Sequence, residues 1–177
     1  MDELTKMLSI DIEAPIDRVW HELTKQGEIC KPMYNCALHV QGGKLTPGAR
    51  LRYSNASGKN TFIVGEVLEV DPPRRLVHTF RLTMNADKPS TVEWTLEPRG
   101  AGNKSTRVTI AHTFVEQTKN NAKIVKSWTE ILNLFKSELE KGAIPFKTKA
   151  TYAMMGAMTF MLPKTTKTEN AEALPVR

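Results

Sequence analysis

The chain has 177 residues, a formal net charge of +6 and two cysteines, Cys30 and Cys36. That length suits one domain with a tail, able to bury roughly two-thirds of the surface its unfolded form exposes, and the cysteines are too few for a structural zinc site and spaced unlike a Cys-x-x-Cys redox pair. Half of the excess charge lies in residues 143–177, where Lys147, Lys149, Lys164, Lys167 and Arg177 meet only Glu169 and Glu172; with no basic run interleaved with aromatics, nucleic-acid binding is not expected.

The amino terminus, MDELTKMLSI, lacks the basic flank, apolar run and cleavage site of a secretory signal, so a cytoplasmic protein with reduced thiols is expected. Met7 to Glu13 alternates apolar and polar residues as a half-buried strand does, and Ala14-Pro15 ends it. Pro15 is suited to opening a helix, in which Ile16, Val19, Trp20 and Leu23 recur at helical spacing to about Lys25 before Gly27. An irregular segment through Pro32 leads into strands at Cys36 to Gln41 and Ala49 to Ser54, separated by GGKLTPG.

Three longer strands are expected near Thr61 to Val70, Arg75 to Met84 and Thr91 to Glu97, and another from about Ser105 to Val115. Pro72 and Pro73 fix φ and remove two backbone donors, so the chain must reverse between the first two of these. Beyond Thr118 the period changes. Ile124, Trp128, Ile131, Leu132, Phe135 and Leu139 share one face of a helix from about Asn120 to Lys141, stopped at Gly142. The fold class that follows is α+β: a domain over residues 1–142 in which a curved antiparallel sheet of about six or seven strands wraps around the long C-terminal helix. Residues 143–177 form a C-terminal extension with an apolar segment at 150–162 and an end that reads as disordered.

Five stretches in this order, SIDIEAPIDRVWHELTK, GGKLTPGARLRY, GEVLEVDPPRRLVHTF, VEWTLEPRGAGNKSTRVTIAHTF and SWTEILNLFKSELEKG, resemble the START-like (SRPBCC) superfamily with the helix-grip fold. The resemblance covers roughly Leu8 to Lys141 and is strongest toward polyketide cyclase/dehydrase-like proteins and those similar to the activator of the ninety-kilodalton heat-shock-protein ATPase. It implies the helix-grip fold and a set of activities that includes lipid carriers, cyclases and chaperone activators, with no invariant catalytic set and no cofactor to transfer. Many members of the activator branch carry a tryptophan-rich segment after the first helix, where this chain has ICKPMYN.

Strand parity places Leu76, His78, Phe80, Leu82 and Met84 on one face, Val92, Trp94 and Leu96 on that face of the next strand, and Val108, Ile110, His112 and Phe114 in the last. Antiparallel pairing across the turns is expected to set His78 near Leu96 and His112 near Val92, toward opposite ends of the sheet, which argues against a shared metal site. Each histidine is then either a satisfied core residue or one that orients a polar group on an apolar ligand. Tyr53 is in phase with Leu51 and, with Tyr34 and Met33, is a candidate for the mouth of a cavity. Glu66 is in phase with Val64 and Leu68, facing either inward or solvent.

The expected function is binding of a small hydrophobic or aromatic molecule between sheet and helix, by His78, Phe80, Trp94, His112, Phe114, Tyr53 and Trp128, with no catalytic or metal-ligating residue. The alternatives are a cyclase- or dehydrase-like enzyme using a cavity histidine, and a chaperone-activating interaction module. Ala150 to Leu162 is apolar nearly all round, rich in methionine and too short to span a bilayer. Self-packing or a homodimer interface is expected for it first, a ligand lid second and a membrane surface last.

Overall fold

The computed structural model describes residues 4–177. Eight strands form one antiparallel sheet: β1 (Thr5–Ile12), β2 (Ile29–Cys30), β3 (Cys36–Val40), β4 (Arg50–Ser54), β5 (Thr61–Asp71), β6 (Arg75–Leu82), β7 (Ser90–Arg99) and β8 (Ser105–Thr113). Their spatial order is β1-β8-β7-β6-β5-β4-β3-β2, a meander with the first strand returned beside the last. The strand beyond the expected seven is the two-residue β2, in the segment that carries no alternating pattern.

Helix α1 (Ile16–Thr24) follows β1, with Pro15 as its N-cap residue. The long helix α2 (Asn121–Lys141) ends at Gly142 in the left-handed conformation, and buries the six apolar side chains that the helical period selects. The sheet curls around α2 as a half-barrel, the helix-grip arrangement. One core joins α1, α2 and the sheet's concave face through Val19, Leu23, Val67, Leu76, Trp94, Ile110 and Phe135, among others.

At Gly65 the sheet admits only glycine. An added Cβ would lie 2.0 Å from the Thr79 carbonyl oxygen on the neighbouring strand. The ladder between β5 and β6 keeps one register from the Val64–Arg81 pair to the Val67–His78 pair and shifts just beyond, between Val67 and Glu69. The Glu66 amide donates to the Thr79 hydroxyl at 2.8 Å, and the Thr79 carbonyl accepts from the His78 ring at 2.8 Å.

The end of the chain, expected to lack order, is folded against the sheet's outer face. Helix α4 (Thr168–Glu172) is preceded by a bridge from Lys167 to Asn60, and the Asn60 side-chain amide donates to the Thr166 hydroxyl at 2.9 Å. Ala171, Leu174 and Val176 cover Val64, whose side chain points away from the main core. Arg50 donates to the carbonyls of Glu172 and Leu174, Arg52 pairs with Glu172, and Arg177 pairs with Glu66. Glu66 therefore faces outward and closes this strap. Three apolar or small side chains, two ion pairs and several backbone carbonyls hold it, which is why its composition reads as disordered.

Candidate functional site

The strand register corrects one expectation. In β6 and β7, His78 pairs with Val92 and Leu76 with Trp94; in β7 and β8, Val92 pairs with His112. The two histidines thus flank Val92 in one row across the sheet, their Cα atoms about 10 Å apart at the usual strand spacing. The shift arises because β6 continues through Arg81 and Leu82 beyond its last partner on β7, still paired to β5. His112 near Val92 is as expected; His78 near Leu96 is not.

Their chemistry is that of satisfied core residues. The Trp128 indole Nε1 donates to His112 Nδ1 at 2.8 Å, and an indole nitrogen can only donate. His112 therefore carries its proton on Nε2, which meets Ser90 Oγ at 2.7 Å, and Ser90 donates on to the Phe80 carbonyl at 3.1 Å. His78 Nδ1 donates to the Thr79 carbonyl. Burial holds His78 neutral by lowering its pKa to about 4; burial, with His78 nearby, lowers that of His112 to about 3.

Aromatic rings fill the space around this relay. His112 stacks on Phe114 at 4.1 Å and meets Phe80 edge-on at 5.1 Å, while Trp94 stands edge-on to Trp128 at 5.6 Å and packs on Phe135 at 6.0 Å. The Trp94 indole N–H has no partner among the described residues. All seven expected ligand residues are buried in the core. Phe80 and Phe114 also reach a cleft beside Ser90 and Ile124, of about 20 Å³, room for about one water.

A larger space lies elsewhere. A cleft of about 350 Å³ opens between the turn after β2 and helix α3 (Phe146–Ala157), lined by Ile29, Lys31, Asn35, Ile144, Tyr152 and Ala153, with Lys149 and Ala56 at its edge. Its floor depends on a tight turn in which Tyr34 and Asn35 both adopt left-handed backbone. That turn presents the Tyr34 ring to Tyr152, 5.7 Å between centroids. Tyr152 is the one buried side chain of α3, and its hydroxyl, without a hydrogen-bond partner among the described residues, is pushed up in pKa by burial. Lys31 is held by Glu138 at 2.7 Å, whereas Lys149 is in none of the ion pairs among the described residues.

Sequence reasoning singled out Tyr34, Lys149 and the apolar tract, but not Tyr152 or Ile144 individually. The readable signal was one tyrosine inside that tract, an apolar ring with a polar tip. Met33 lies in the core, and Tyr53 is buried among Leu38, Leu51 and the two cysteines. Cys30 and Cys36 face each other across β2 and β3 as free thiols, and burial pushes the Cys36 thiol up to about 12. Among the described residues no group of three or more His, Cys, Asp or Glu could hold a metal, and no helix is long and apolar enough to cross a membrane.

Residues 13–140 match the family model described as activator of Hsp90 ATPase homolog 1-like protein. The chain belongs to this family. Its fold is similar to that of CalU16 from Micromonospora echinospora, at 17% identity over 86% of this chain and 85% of that one, with a TM-score of 0.60. DynU16, a protein in the dynemicin biosynthetic locus, shares 22% identity over 80% of this chain and 49% of its own, with a TM-score of 0.63. An HSP90 activator from Plasmodium falciparum matches at 16% identity over 78% of this chain and 96% of its own, with a TM-score of 0.60. No curated protein matches in sequence. The family match ends before α3, so the cleft's outer wall lies outside it.

Proposed function

We propose that the chain is a non-enzymatic binding protein for a small apolar or aromatic molecule carrying an acidic group, held in the cleft beneath α3. The observation that carries this reading is the contrast in space: about 350 Å³ beside Tyr152, within the range of small-molecule sites, against about 20 Å³ in the cleft at the end of the sheet that Phe80 and Phe114 reach. Ile29, Ile144 and Tyr152 supply apolar walls, and Lys149 supplies a charge without a carboxylate partner. The seven interior residues then serve as the scaffold that fixes α2 and the turn at Tyr34. A cyclase-like reaction is disfavoured because both ring nitrogens of His112 are engaged.

Ala153 is exposed at the cleft, so Ala153→Trp fills it without touching the core. A thermal-shift screen of aromatic carboxylates should yield ligands whose affinity falls at least about tenfold in that variant, with Lys149→Gln selectively weakening acids over neutral analogues. Ligands that bind the variant as tightly as the parent chain would reject the cleft.

A further inference from the structure

Helix α3 has a second face, and nothing described covers it. Tyr152 points to the body of the protein, and Phe146, Ala150, Met154 and Met158, spaced four apart, lie on the opposite side. Phe146 is 84% exposed and Met154 58%; the turn that follows adds Phe160 at 83% and Met161 at 65%. Single exposed apolar side chains are ordinary, but a continuous set of this kind marks a surface that meets something.

Charge selects the occupant. Between Gly142 and Thr168 the chain has Lys147, Lys149, Lys164 and Lys167 and no carboxylate. None of the four is in an ion pair among the described residues. A second copy meeting this face about a two-fold axis would bring the same four lysines against their counterparts. An anionic bilayer surface has the complementary charge, and an apolar interfacial layer into which phenylalanine and methionine can enter while lysine ammonium groups stay at the headgroups. We propose that the outer face of α3 and the turn through Met161 docks the protein on anionic lipid membranes. The helix lies in the interface, with Phe146, Met154, Phe160 and Met161 inserted and Lys147, Lys164 and Lys167 at the phosphate level.

The test is flotation of the full chain with phosphatidylcholine vesicles, alone or with about one-third phosphatidylserine, where partition should rise at least about tenfold with the anionic lipid. Met154→Ser with Phe160→Ser, both at exposed positions, should lower that partition at least about tenfold with an unchanged melting temperature. Lys147→Glu with Lys164→Glu should do the same, whereas Lys104→Glu in the turn between β7 and β8 should not. Equal partition into both vesicle types, no partition, or equal loss in the Lys104 variant would overturn the proposal. So would a solution dimer that Met154→Ser with Phe160→Ser converts to monomer. Ligand binding at the cleft is read separately through Ala153→Trp and does not depend on this outcome.

Discussion

Replacing Trp128 with phenylalanine removes the only proton available to His112 Nδ1 while keeping an aromatic ring in the core. The acceptor it orphans is fully buried, and the unsatisfied group should cost about 1–3 kcal/mol. The smaller ring, between Phe80 and Trp94, adds a packing loss of about 1 kcal/mol. Urea unfolding should therefore show a stability lower by a total of about 2–4 kcal/mol, read as a lower midpoint with the m-value unchanged. The packing part is separated by a double-mutant cycle with His112→Leu, in which Trp128→Phe should lose only that part, leaving a coupling of about 1–3 kcal/mol. Nitrogen chemical shifts should place the His112 proton on Nε2. A coupling near zero, or a proton on Nδ1, would refute the relay.

Acid should destabilise the fold in a defined window. His78 and His112 have folded pKa values depressed to about 4 and about 3 from 6.5, so the unfolded chain takes up protons first as pH falls. Stability is fully present above pH 6.5 and should decline by about 1.4 kcal/mol per unit for each histidine until its folded pKa is reached. Urea melts at pH 7, 5.5 and 4.5 check this; equal midpoints would contradict it. Gly65→Ala should cost about 3 kcal/mol or more, because strands β5 and β6 must separate to admit the methyl group, and a midpoint within about 0.5 kcal/mol of the parent would exclude that close approach. Val176→Ser should raise hydrogen exchange in the strap and at Val64 on β5 while leaving α2 protected.

The order of elements was legible because each buries one apolar face at its own period. The six inward positions of α2 and the alternation in β6, β7 and β8 are plain in the chain. Register was not, since the overhang of Arg81 and Leu82 depends on what β5 does beside them. The interior histidines were legible as core residues. Their connection through Trp128 and Ser90 was not, because it joins His112 to positions 16 and 22 residues away by atoms rather than by pattern. The cleft was hidden for the same reason: Ile29, Ile144 and Tyr152 come from three separate segments, beside a left-handed turn at Tyr34 and Asn35.

The most direct test of the binding account is a methyl and amide NMR titration with the strongest aromatic carboxylate from the thermal-shift screen. Saturating shifts should cluster at Ile29, Ile144, Tyr152 and Ala153, with the methyl groups of Ile110 and Leu96 unmoved. Shifts centred instead on Trp94, Trp128 and Ile110, with Tyr152 and Ala153 unaffected, would contradict it.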